Sequence, residues 1–214
     1  MMDQNVMWVN ENKIKRTIKS LEKNNMSGYL VKDKEELLSK IRELIPQKSL
    51  VGCGGSQTLI ETGVIDFLRV CDYEFLDRYQ KGLTSDEIKN LHRKSFCSDA
   101  YVTSTNAITE NGELYNVDGN GNRVAAMLYG PDKVIVVCGV NKIVKDIDEA
   151  IKRNEQMSAP SNAKRLNTKT PCKEVGYCMD CESPDRICCE YSVIKKQRTS
   201  DRIHVIFLNQ SLGY

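Results

Sequence analysis

The run Lys133-Val134-Ile135-Val136-Val137-Cys138-Gly139-Val140 constrains this chain more than any other stretch. From Val134 to Val140 it is apolar and rich in β-branched residues without polar alternation, so a strand here has both faces dry. Antiparallel sheets commonly keep one face in water, whereas strands buried on both faces belong inside parallel sheets covered by helices. The run therefore predicts an α/β fold with a mainly parallel sheet flanked by helices. Further strands are expected at 28–31, 50–51, 100–103 and 202–208, the last by its alternation. Helical stripes fall between them: Ile14, Ile18 and Leu21; Leu37, Leu38, Ile41, Leu44 and Ile45, stopped by Pro46; Ile88, Leu91 and Phe96; and Ile147, Ala150 and Ile151. Asp33 to Glu36, Ser85-Asp86-Glu87 and Asp146 supply the start signals. His92 lies on the third stripe and reads as a surface or structural side chain.

A chain of 214 residues is long enough to bury a full core as one domain with appendages. Its 31 basic and 29 acidic residues leave a net charge of +2, which gives no electrostatic case for nucleic acid or a membrane surface. The N-terminal segment lacks a basic stretch followed by an apolar one, and the longest apolar run is too short to span a bilayer. A soluble, cytoplasmic protein is expected.

Two loops carry the candidate chemistry. Gly52-Cys53-Gly54-Gly55-Ser56-Gln57-Thr58 follows a short strand and opens a helix, an arrangement that leaves backbone N–H groups facing a phosphate or carboxylate. Ser56 is equally a plain N-cap. The loop is neither a Walker A sequence nor a dinucleotide fingerprint, so no NAD or FAD motif is present. The second region runs from 99 to 144. Here Ser104, Thr105 and Asn106 follow a strand, and Asn111-Gly112 predicts a type I′ hairpin joining 108–110 to 113–117. The stretch Asp118-Gly119-Asn120-Gly121-Asn122 fails as a calcium loop, since its sixth and twelfth positions are Arg123 and Tyr129. It reads instead as a polar cap on a helix over 123–129. Asn141-Lys142 sits just past a strand end, where open α/β sheets place ligand groups.

These segments suggest an anion cleft built from Gly54, Gly55, Ser56, Thr58, Ser104, Thr105, Asn106, Asn122, Arg123 and Lys142. Arg123 and Lys142 are the candidates for holding a carboxylate. Glu61 and Glu110 form a candidate acid–base pair, with Asp118 positioning Arg123 or making a turn.

From Ser158 onward no helical or strand period persists until residue 202. Five of the nine cysteines crowd into this region as Cys172-x5-Cys178-x2-Cys181-x6-Cys188-Cys189. In a reducing compartment such a cluster reads as metal ligation before disulfides. The Cys-x-x-Cys pair lets two thiolates converge, and Cys172 with Cys188 or Cys189 would complete a zinc or iron–sulfur site. A redox dithiol and idle thiols are the alternatives. The expected organisation is an α/β domain over 1–157, a cysteine-rich metal-binding insertion over 158–200, and a final strand and tail over 201–214 packing on the first domain.

The chain resembles the LUD domain family, the lactate-utilisation proteins formerly called DUF162. The resemblance rests on Gly52-Cys53-Gly54-Gly55-Ser56-x-Thr58-Leu59-x-Glu61-x-Gly63, on Thr105-Asn106-Ala107-Ile108-Thr109-Glu110-x-Gly112, and on Asn116-Val117-Asp118-Gly119-x-Gly121-Asn122-Arg123-Val124-Ala125. It continues through Gly130-Pro131-x-Lys133-Val134 and Gly139-Val140-Asn141-Lys142-Ile143-Val144. It implies a NagB/RpiA/CoA transferase-like fold and a small subunit or accessory protein in the oxidation of L-lactate to pyruvate, working with iron–sulfur partner subunits. The chain departs from the larger iron–sulfur subunits in lacking ferredoxin-type cysteine repeats. A nucleotide- or CoA-binding transferase or ligase, and a metal- or redox-sensing module, are the competing readings. The expected partner is a small anionic or phosphate-bearing molecule, and an oligomer is compatible with all three.

Overall fold

A computed structural model describes residues 3–214. In chain order its elements are α1 (Gln4–Lys23), β1 (Ser27–Val31), α2 (Lys34–Leu44), β2 (Leu50–Cys53), α3 (Gln57–Glu61), α4 (Val64–Val70), β3 (Glu74–Phe75), α5 (Ser85–Lys94), β4 (Ala100–Thr103), β5 (Ala107–Thr109), β6 (Leu114–Asp118), α6 (Asn122–Tyr129), β7 (Lys133–Gly139), β8 (Ile143–Val144), α7 (Ile147–Arg153), α8 (Ala159–Leu166), α9 (Pro171–Val175), β9 (Glu190–Ile194) and β10 (Ile203–Leu208).

The main sheet has the order β1-β10-β7-β4-β2-β3, and every adjacent pair is parallel. β7 lies inside it, as its composition requires. Val134, Val136 and Cys138 pack with Ile14 and Leu21 of α1 and Met127 of α6 on one face. Ile135 and Val137 pack with Leu37 and Ile41 of α2 and Leu59 of α3 on the other. Side chains along a strand alternate sides, so a continuous apolar run is what two helix-covered faces demand. All strands being parallel, the segments after β2, β3, β4 and β7 leave the sheet along one edge.

A second sheet, β8-β5-β6-β9, stands beside the first. The β5–β6 hairpin forms, with Ile108 opposite Leu114, but its turn is not type I′. That type needs positive φ at both central residues; only Gly112 has it, at +78°, and its amide donates to the Thr109 carbonyl. Helix α1 imposes this shape. Asn24 donates to the carbonyls of Asn111 and Gly112, and a Cβ on Gly112 would lie 2.7 Å from the Leu21 amide nitrogen.

The region after Ser158 differs from the irregular insertion the sequence suggests. Helix α7 runs through a π-helical turn, Asn154–Ser158, straight into α8, so helical backbone crosses the expected boundary. Strand β9 pairs antiparallel with β6 from Leu114↔Ile194 to Asp118↔Glu190. The cysteine-bearing segment is thus woven into the second sheet. Among the described residues no helix is long and apolar enough to cross a membrane.

Candidate functional site

A cleft of about 410 Å³ opens at the C-terminal edge of the main sheet. The β2–α3 turn contributes Gly55 and Ser56, and the segment after β4 contributes Ser104, Thr105 and Asn106. Asp118 enters from the end of β6, Asn122 and Arg123 from the start of α6, and Lys142 from the short 3-10 turn after β7. The structure therefore brings these segments around one space.

Arg123 is the hub of that wall. Its Nε donates to Asp118 Oδ1 at 2.9 Å, and Nη2 lies 2.6 Å from the same oxygen. Nη1 donates to the Ser104 carbonyl at 3.0 Å and Asn116 Oδ1 at 2.6 Å, and Nη2 to Asn106 Oδ1 at 2.7 Å and the Val117 carbonyl at 3.1 Å. A guanidinium has five N–H donors, and these acceptors use all of them. The expectation that Arg123 grips a substrate carboxylate with two free donors is therefore corrected: its hydrogens are spent inside the wall. Asp118 also caps α6, because Oδ2 accepts from the amides of Arg123 and Val124, both at 3.0 Å. The polar loop over 118–122 is a helix cap, as its composition suggests.

Lys142 is 3% exposed and forms the floor. Its Nζ donates to Thr58 Oγ1 and Ser104 Oγ at 3.0 Å each and to the Thr105 carbonyl at 3.2 Å. Among the described residues no carboxylate lies within 4.0 Å of it. Burial disfavours the charged form and lowers its pKa to about 8. The ammonium is still the majority form at neutral pH.

The glycine turn is less open than its sequence suggests. The Ser56 amide donates to the Tyr79 hydroxyl at 3.0 Å, and Ser56 Oγ caps Leu59 at 3.3 Å. Helix α3 is only five residues long. A Cβ at Gly54 would lie 2.5 Å from Thr103 Oγ1 and 3.3 Å from Arg123 Cδ, so Gly54 is a packing glycine behind the wall. Thr58 is buried and reaches the cleft only through Lys142.

The two glutamates do not meet. Glu61 is exposed and accepts from the Gly213 amide at 2.8 Å, tying the C-terminal segment to α3. Glu110 sits on the β5–β6 turn, paired with Arg16 of α1 at 3.1 Å. Neither lines the cleft, which corrects the acid–base pairing.

Two cations that sequence reasoning missed do line it. Arg78, after β3, rests against Gly55 and over the Tyr79 ring, 5.8 Å from its centroid. Arg165 of α8 bonds Asn162 Oδ1 at 2.7 Å. Neither makes an ion pair among the described residues. Both sit in polar segments with no motif around them, and the one sequence signal was an arginine close after a strand end.

All nine cysteines are free thiols. Cys172 and Cys188 are buried, while Cys178 and Cys181 are half-buried. Among the described residues no three Cys, His, Asp or Glu side chains stand close enough to hold a metal ion as they lie. Cys53, at the end of β2, has its thiol pushed up to about 12 by burial, which makes it inert at neutral pH.

The LUD domain family model matches residues 14–208. A search of curated protein sequences returned no match. Among solved structures, a DUF162 family protein from Deinococcus radiodurans matches with a TM-score of 0.55 at 14% identity, covering 94% of this chain and 98% of that one. That likeness shows the fold. Partial matches are eIF2B delta from Chaetomium thermophilum (TM-score 0.37, 17% identity, 56% of this chain and 50% of that one) and ribose 5 phosphate isomerase A from Neisseria gonorrhoeae (TM-score 0.33, 11% identity, 64% and 65%). Both are too distant to bear on function.

Proposed function

The chain belongs to the LUD domain family, and on that premise we propose that its cleft binds a small organic anion, a carboxylate of the lactate and pyruvate class, as an accessory protein or small subunit of organic-acid utilisation. The observation that carries this reading is the charge of the lining. Arg78, Arg123, Lys142 and Arg165 face a single carboxylate, Asp118, which Arg123 already neutralises. Concave, partly desolvated walls concentrate such an excess and draw in small anions. Arg78 and Arg165 keep N–H donors for a ligand, whereas Lys142 and Arg123 contribute charge and fix the hydroxyls and carbonyls around it. Imidazole is absent from the described lining, and Asp118 is engaged on both oxygens. The cleft is therefore better equipped to hold an anion than to move its protons. Oxidation is assigned to a partner subunit.

A thermal-shift screen with lactate, pyruvate, inorganic phosphate, ATP, CoA and a folate tests this. A ligand at a hundredfold its Kd adds about 2.7 kcal/mol, a rise of several degrees for a chain of this size. Lactate or pyruvate should raise the melting temperature, and Arg78→Ala with Arg165→Ala should abolish the rise. A response only to ATP or CoA would move the reading to a transferase or ligase. No response to any anion, or an unchanged response in the double variant, refutes the cleft.

A further inference from the structure

We propose that the free edge of β9 pairs with the same edge of a second copy of this chain, joining the two small sheets across a two-fold axis at Ser192. The inference is independent of what the cleft binds.

Strand β9 ends the sheet β8-β5-β6-β9. Among the described strands β6 is its one neighbour, in antiparallel register from Leu114↔Ile194 to Asp118↔Glu190. The other edge leaves backbone N–H and C=O groups with no strand to bond. Side chains alternate along a strand, so Tyr191 and Val193 share the face of Val117 and Tyr115, which stand opposite them on β6. On that face Tyr115 and Val117 form a small core with Ala150 of α7 and Ala159 of α8. The core stops short of the edge, leaving Tyr191 51% and Val193 43% exposed. Sheet edges are commonly blunted by a proline or a charge inside the strand, and neither stands between Tyr191 and Ile194. Met179, also half-exposed, extends the apolar surface. Its neighbour Asp180 pairs with Arg186 Nη2 at 2.8 Å, and the same nitrogen donates to the Tyr191 hydroxyl at 3.3 Å.

The charges select a second copy over an unrelated strand. Glu190 opens β9, and Lys195 and Lys196 follow it, so an antiparallel copy brings the acid of each chain to the bases of the other. A two-fold axis through the joined sheet sets one residue opposite itself, and Ser192 in that place pairs all five residues of the strand. Tyr191 then faces the second copy's Val193 on one side of the sheet, an aromatic and a β-branched residue, which are favourable cross-strand neighbours. On the other side Glu190 lies diagonal to the second copy's Lys196, within reach of so long a side chain. Glu190 and Lys196 are both exposed, and neither makes an ion pair among the described residues. The axis makes each of these contacts twice. Ser192 Oγ is shielded from water and has no hydrogen-bond partner among the described residues, Asn116 opposite it on β6 included. In the pair it meets the second copy's Ser192, whose hydroxyl can both give and accept.

Sedimentation equilibrium of the full chain, over a range of protein and salt concentrations, tests this on the parent, Glu190→Lys, Lys196→Glu and the double variant. The parent should dimerise, and salt should weaken the dimer. Each single variant sets like charges together twice and should weaken dimerisation about tenfold. The double variant should recover it. So should an equimolar mixture of the two single variants, in which every acid again meets a base. Far-ultraviolet circular dichroism checks that each variant folds, and recovery in the mixture separates lost charge pairing from misfolding. A parent that stays monomeric at every concentration overturns the proposal. So does a dimer that both single variants leave intact, or a loss that the mixture does not repair.

Discussion

Truncating Asp118 to alanine should unfasten two structures at once. Its Oδ2 caps α6 through two amides at 3.0 Å, and its Oδ1 is the counter-charge of Arg123, both side chains being about one-tenth exposed. Loss of an N-cap costs about 1 kcal/mol. Leaving a buried cation without its partner costs about 3 kcal/mol, the low end being appropriate because Asn106, Asn116 and two carbonyls still accept from Arg123. The sum, about 4 kcal/mol, corresponds to a fall of roughly 8–16 °C in melting temperature for a chain of this length. Urea denaturation measures it, provided the slope is unchanged between variants. Arg123→Met and the double variant close a cycle in which coupling should reach about 2 kcal/mol. A loss in Asp118→Ala of only about 1 kcal/mol, the cap alone, or strict additivity in the cycle, would refute Arg123 as a hub held by charge.

Three further outcomes are expected. The folded-state pKa of Lys142, about 8, lies below its ordinary value of 10.5, so the unfolded chain binds more protons between those limits. Stability attributable to this lysine should rise with pH across that window, anion binding should weaken across it, and both trends should vanish in Lys142→Met; flat profiles in the parent would contradict this. His204 is fully buried, with its pKa lowered by burial, and hydrogen-bonds Tyr29 at 3.2 Å. Burial favours its neutral form even with Asp201 at 3.3 Å, so stability should fall as pH drops below about 6.5, less steeply in His204→Gln, as read by urea melts. Gly112→Ala places a Cβ 2.7 Å from helix α1 backbone at a positive φ, and should cost more than Gly82→Ala, which meets the same backbone strain at φ +85° but open space around it; both should cost more than about 1 kcal/mol.

The sheet could be read from the sequence because its information is local. Residues 134–139 are apolar whatever surrounds them, and a parallel interior follows from that, while 202–208 marks a strand by its alternation. The convergence of the loops followed in turn, since parallel strands end on one edge. What could not be read was who satisfies whom. Lys142 reaches Thr58 across 84 residues, and Arg123 spends its donors on side chains from two other segments, so no spacing distinguishes a free cation from an engaged one. Arg78 and Arg165 were missed for the converse reason, lying in segments without pattern. Strand β9 was missed because Glu190–Ile194 pairs as an exposed edge, with too little apolar content to mark it. The hairpin turn was misjudged because helix α1, far away in sequence, dictates its shape.

Strand β10 lies between β1 and β7, although it follows every other described strand in the chain. Among the described residues strand β1 has no other neighbour in its sheet, so its strand-to-strand hydrogen bonds stay unmade until residues 203–208 arrive to form them. During synthesis, then, the N-terminal strand and helix α1 wait beside a half-built sheet with the Val134 to Cys138 edge bare. A ribosome paused before residue 203 would hold a nascent chain with two open edges, the state in which a chaperone is most needed.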